Sequence, residues 1–125
     1  MRKERAFQIK TPSGWKVAGK VMKVRGEWCF YREIYNGKHA FHTFDAWSLQ
    51  SILLPVLEDD GVKWIYQFDK ESQKMHRISL ADFKDKSVER DFGEGKQLYC
   101  ATKYFEEVKG MKPIKKWINS IELVA

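Results

Sequence analysis

The chain has 125 residues, room for one domain and too few for two of ordinary size. Its 43% hydrophobic and 14% aromatic content suffices for a core without a metal or disulfide staple, which excludes disorder of the whole chain; no apolar run approaches the ~18 residues of a membrane span, so no membrane partner is expected. The net charge of +6 is regional, because eight bases against the single acid Glu4 put residues 1–25 at +7 and leave the rest at −1.

The first ten residues begin basic but carry no apolar stretch of signal-peptide length, so a cytoplasmic protein is expected. Residues 5–10 alternate, with Phe7 and Ile9 on one side, and Thr11-Pro12-Ser13-Gly14 is a turn cluster; together they read as a strand entering a hairpin. Residues 15–24 start with apolar Trp15 and Val17 on odd positions and finish with Met22 and Val24 on even ones. Gly19 sits at this change of parity, the signature of a β-bulge or sharp strand bend. Arg25-Gly26 is a tight-turn signal. Residues 27–35 form a third strand that is aromatic on both faces, with Trp28, Phe30 and Ile34 on one and Cys29, Tyr31 and Tyr35 on the other. Such a strand is either central and covered twice or covered once, leaving an aromatic platform. Asn36-Gly37 is a strong type I′ hairpin signal, with residues 39–44 as the returning fourth strand.

The period then changes. Leu49, Ile52, Leu53, Val56 and Leu57 form a helical stripe, with Asp45 or Ser48 available as N-cap. Pro55 requires that helix to bend or to restart with the proline in its first turn. Gly61 follows as the left-handed cap. Val62, Trp64, Tyr66 and Phe68 alternate, Asp69-Lys70-Glu71-Ser72 turns, and residues 74–78 return as a second hairpin. Ser79-Leu80-Ala81-Asp82 resembles a capping sequence for one or two helical turns carrying Phe83. Residues 84–97 are polar and read as a loop, residues 96–101 as a strand, and Thr102 as the cap of a short helix through Val108 that ends at Gly110. A last helix is expected from the spacing of Ile114, Trp117, Ile118 and Ile121. The expected fold is a single α+β domain over residues 1–125: an antiparallel β-meander of about four N-terminal strands plus a second hairpin, with two to three short helices packed on one face of the sheet.

Catalytic signatures are absent. There is no GxSxG, phosphate-loop or dinucleotide fingerprint, and His39, His42 and His76 lack metal-ligand spacing with Cys29 and Cys100. The two cysteines lie in aromatic, strand-like runs, where a thiol behaves as a small buried hydrophobe. Glu94-Gly95-Lys96 matches the acid-x-lysine triplet of metal-dependent nucleases, with Asp69 or Asp82 as an earlier acid, but its flanking glycines read more simply as a loop. No catalytic residue, metal or cofactor is therefore expected.

The basic residues carry the functional expectation. Arg2, Lys3, Arg5, Lys10, Lys16, Lys20, Lys23 and Arg25 crowd the N-terminal meander, and Lys112, Lys115 and Lys116, together with Lys109, form a second group with no acid between Glu107 and Glu122. Regional basicity is the footprint of a phosphate-backbone contact, because the gain from counterion release scales with the contacts made in one place. Lys16, Lys20 and Lys23 would span about 23 Å along one strand. Trp15, Trp28, Tyr31, Tyr35 and Tyr66 lie on strands nearby; one or two left exposed beside lysines would stack unpaired bases. A sequence-independent nucleic-acid-binding accessory protein is expected from these features. An inhibitor or adaptor that docks the same face onto an acidic protein surface is the alternative.

Overall fold

A computed structural model describes residues 4–11, 14–34, 41–42, 54–91, 96–114 and 121–124. Its element order is β1 (Arg5–Thr11), β2 (Gly14–Val24), β3 (Glu27–Ile34), β4 (Phe41–His42), α1 (Leu54–Asp59), β5 (Trp64–Asp69), β6 (Lys74–Ser79), α2 (Leu80–Lys86), β7 (Val88–Asp91), β8 (Lys96–Cys100), a 3-10 turn (Thr102–Tyr104), β9 (Glu106–Glu107) and β10 (Ile121–Val124). The fold is α+β with a mixed, mostly antiparallel main sheet. Among the described residues that sheet has seven strands in the order β10-β1-β2-β3-β5-β6-β9, and a smaller one has the order β4-β8-β7.

The N-terminal hairpins form where their local signals place them. Arg25 and Gly26 both have positive φ (54° and 83°), the backbone of a type I′ turn between β2 and β3. Phe7 pairs with Gly19 and Gln8 with Val17, so Ala18 is the extra residue of a β-bulge at the change of parity. Gly19 has a steric reason as well. A Cβ placed there would lie less than 3.0 Å from three carbons of the Phe30 ring. The aromatic ring of β3 lies across the glycine of β2, filling the space a side chain would take.

The expected four-strand meander stops at three. β3 pairs in parallel with β5, Cys29 through Ile34 against Trp64 through Asp69. β4 joins the smaller sheet instead, Phe41 against Cys100 and His42 against Tyr99. The reason is coverage. β3 and β5 are both apolar on two faces, and placing them side by side at the sheet centre buries both faces of each at once.

Two cores result. On one face Val21, Phe30, Ile65 and Ile78 pack beneath Leu54 and Leu57 of α1, Leu80 and Phe83 of α2, Cys100 and Phe105. On the other, Met22, Cys29, Tyr31, Tyr66, Phe68 and Met75 are covered by Val108, Met111 and Ile114. That cover is pinned by hydrogen bonds: the Val108 amide donates to the Met75 carbonyl at 2.8 Å, and the Ile114 amide donates to the Tyr31 hydroxyl at 3.2 Å. The hydroxyl itself donates to Glu33 Oε2 at 2.5 Å. Burial and then the Glu33 hydrogen bond raise the Tyr31 phenol above its ordinary range.

The helices keep their local signals and lose length. α1 takes the restart option, with exposed Pro55 in its first turn, where a missing N–H has no partner to lose. It closes in a left-handed cap at Gly61 (φ 71°), whose amide donates to the Glu58 carbonyl while that of Val62 donates to Leu57. Ser79 caps α2 by accepting from the Asp82 amide at 3.1 Å, as its sequence indicates.

Three expectations are corrected. The polar stretch after α2 is not all loop, since Val88–Asp91 pairs with β8 as β7. The helix from Thr102 to Val108 shrinks to a single 3-10 turn, because Phe105 enters the core and Glu106–Glu107 extends β6 as β9. Ile121 is not the last residue of a helix: it opens β10, which runs parallel to β1. The Asn36-Gly37 hairpin, the stripe residues Leu49, Ile52 and Leu53, the caps Asp45 and Ser48, and Trp117 and Ile118 lie outside the described residues.

Replacing Gly19 by alanine should destabilise the fold by about 1–3 kcal/mol through overpacking against Phe30. In urea unfolding the midpoint should fall with an unchanged slope. Phe30→Leu combined with Gly19→Ala should cost less than the sum of the two single changes, and strict additivity would refute the proposed contact.

Candidate nucleic-acid interface

Of the basic residues expected to act together, Lys20 and Lys23 are separated by the pleat. Lys20 pairs with Tyr31 and Lys23 with Trp28, so the two lysines leave the sheet on opposite faces. For Arg5, Lys10 and Lys16 the structure describes the backbone within β1 and β2, and Arg2, Lys3, Lys115 and Lys116 lie outside the described residues. Lys112 is exposed on the C-terminal segment that covers the second core. The bulge shifts the register of β2 but does not gather its lysines on one side.

What the fold gathers instead is a cationic tip at the β2–β3 turn. Lys23 is exposed with its ammonium 5.6 Å from the centroid of the half-buried Trp28 ring. Arg25 is exposed in the turn. Lys63, far away in sequence, is brought alongside because its amide donates to the Trp28 carbonyl at 2.8 Å where β5 joins β3. None of these three side chains forms an ion pair with a described residue. Glu27, at the start of β3, accepts a hydrogen bond from the Trp64 indole at 3.0 Å.

Trp64 is held from a second direction. The Arg77 guanidinium lies 3.9 Å from its ring centroid, donates to Glu106 Oε1 at 2.5 Å, and donates to the Tyr66 hydroxyl at 3.2 Å. The Glu106 bond, followed by that to Tyr66, keeps the Arg77 guanidinium above its ordinary range. This arginine is committed to the fold. Lys23 over Trp28 has no such anchors among the described residues.

The pairing of aromatic and cation recurs at Tyr104. Its ring is 40% exposed and carries Lys103 at 5.2 Å and Lys86 at 5.6 Å from the centroid. Phe105, the next residue, anchors this turn in the same core as Trp28. Of the aromatic residues singled out in the sequence, Tyr31 and Tyr66 are core, and Trp28 is half-buried beside a lysine. Nothing is described of the Trp15 side chain or of Tyr35. Trp64 and Tyr104 were not singled out. Lys63 immediately before Trp64, and Lys103 immediately before Tyr104, are the sequence signals that mark them.

Both thiols are buried, and burial, followed by Glu27 and Glu4, pushes Cys29 up to about 12; burial likewise raises Cys100. Glu94 and Gly95 of the nuclease-like triplet lie outside the described residues, with Lys96 opening β8. Among the described residues there is no group of three histidine, cysteine or acidic side chains placed to hold a metal, and no helix is long and apolar enough to cross a membrane. Comparison with protein-family models, curated proteins and solved structures finds no match to this chain.

The thiol shift has a sign that can be measured. In the unfolded chain Cys29 loses its proton near 9.0, whereas in the fold it holds it to about 12, so between these values unfolding releases a proton. Stability should be unaffected by this group below pH 9 and should fall as pH rises above it. Cys29→Ala should flatten the alkaline limb of a plot of unfolding free energy against pH. An unchanged limb would show that the thiol does not titrate differently in the two states.

Proposed function

We propose that this protein binds nucleic acid through the sugar-phosphate backbone, largely without regard to sequence. The observation that carries the reading is the gathering of Lys23, Arg25 and Lys63, all exposed and without ion pairs to described residues, around Trp28 at one end of the main sheet. Three uncompensated cations within one turn and the adjoining strand start offer phosphates a compact set of contacts, each of which releases a condensed counterion.

Sequence independence follows from the elements available. Lysine contacts to phosphate position a strand without reading it. A base-edge reader would need a helix that can enter a groove, but the described helices α1 and α2 span 6 and 7 residues and spend Leu54, Leu57, Leu80 and Phe83 on the core. The exposed surface of α2 mixes Asp82 and Asp85 with Lys84 and Lys86, a poor face for a polyanion.

Fluorescence anisotropy with labelled oligonucleotides at two salt concentrations tests the proposal. Binding should weaken steeply with salt, and replacing Lys23, Arg25 and Lys63 together by glutamine should lower the log-log salt slope by roughly three, equally for unrelated sequences. No binding at about 50 mM salt would overturn the reading and leave an acidic protein surface as the partner of the tip. Full affinity and slope in the triple variant would remove the tip from the interface.

A further inference from the structure

Among the residues whose side chains are described, two large hydrophobic side chains are exposed, Val88 at 51% and Tyr104 at 40%, and only the second carries a ring. The other tyrosines so described are spent on the fold. Tyr31 and Tyr66 are buried, the hydroxyl of the first donating to Glu33 and that of the second accepting from Arg77. Tyr104 stands outside both cores, and its hydroxyl makes no hydrogen bond with a described residue.

What Tyr104 has beside it is charge. The Lys103 and Lys86 ammonium groups lie 5.2 Å and 5.6 Å from its ring centroid, the first from the same 3-10 turn and the second from the last turn of α2. Phe105 anchors the turn in the first core and Phe83 anchors the helix there, so the backbone of both elements is fixed before a ligand arrives. Lys86 lies 3.4 Å from Asp85, whereas Lys103 makes no ion pair with a described residue. An exposed ring next to cations combines the two parts of a single-strand site, a π-face for a base and positive charge for the backbone.

The ring is also close enough to the cationic tip for one strand to meet both. The Leu80 amide at the start of α2 donates to the Lys63 carbonyl at 2.9 Å, and Lys86 ends the same helix, whose 7 residues span about 10 Å.

Resting on the phosphate-binding reading above, we infer that Tyr104 stacks one unpaired base of a single-stranded nucleic acid, with Lys103 and Lys86 beside the adjoining phosphates. The consequence is discrimination by strandedness. In a duplex both faces of a base are covered by its neighbours, and freeing one for Tyr104 costs the unstacking energy; in a single strand that cost is small. The tip serves both kinds of strand, and Tyr104 serves only the unpaired one.

Fluorescence anisotropy with three fluorescein-labelled probes tests this: a mixed-sequence oligodeoxynucleotide of about 12 nucleotides, the same strand annealed to its complement, and an abasic strand of equal length that keeps the phosphates and lacks the bases. The unmodified protein should bind the base-bearing single strand about tenfold more tightly than the abasic one. Tyr104→Ala should abolish that difference by weakening the first alone, leaving duplex and abasic binding unchanged. Tyr104→Trp keeps an aromatic face and should keep the preference.

Wild-type affinity of folded Tyr104→Ala for the base-bearing single strand would overturn the inference, as would equal weakening for all three probes; the tip stands in either case. If the unmodified protein binds no probe at about 50 mM salt, the phosphate-binding reading itself falls, and this inference with it.

Discussion

The parallel ladder between β3 and β5 joins two antiparallel units into one sheet, and it works because both strands are apolar on both faces. Neither strand could sit at an edge without exposing a row of large side chains. Side by side in the middle, each needs two layers of cover, and the chain supplies them from different places. The helices, Cys100 and Phe105 cover one face, and residues around Val108 to Ile114 cover the other. The second cover is a segment of irregular backbone, which explains why it is tied down by the Tyr31 hydroxyl and by the amide of Val108 rather than by apolar contact alone.

The same ladder assembles the end of the molecule proposed to meet nucleic acid. Bringing the start of β5 against the start of β3 sets Trp64 opposite Cys29 and Lys63 beside Trp28. The two tryptophans then lie toward opposite faces, and their fates differ. Trp64 is fixed by Glu27 and by an arginine whose other donors go to Glu106 and Tyr66, a network that leaves Arg77 no freedom to meet a ligand. Trp28 packs against the first core and carries Lys23, which among the described residues has no anchors like those of Arg77.

What could be read from the sequence was local. The Arg25-Gly26 turn, the Gly61 cap, the Ser79 cap, the second hairpin and the change of parity at Gly19 each depend on backbone preferences within a few residues, and each stands in the structure as read. Partner choice was not legible. An apolar run says that a strand wants cover and neighbours but not which ones, so the departure of β4 to the smaller sheet and the parallel entry of β5 left no local trace. The strand Val88–Asp91 is legible only through its partner, since Val-Glu-Arg-Asp has no alternation of apolar and polar residues to announce it. Ile121 fits the stripe of a helix equally well, yet it opens a strand because β1 offers an open edge there. For the site, the sequence marked Lys23, Arg25 and Trp28 and missed Lys63, Trp64 and Tyr104, which only the ladder and the packing of Phe105 bring into play.

That miss bears on how charge along a sequence relates to charge in space. A run of bases on a strand is divided by the pleat between two faces. Lys20 and Lys23, three residues apart, illustrate the division. A cationic surface on a sheet has to be assembled across strands at one level of the ladder, from residues that share a register. Lys23, Arg25 and Lys63 meet this condition because a tight turn and a strand start fall at the same end, and the Glu27 carboxylate beside them accepts from an indole. Register, more than composition, therefore decides which cations of a sheet lie together.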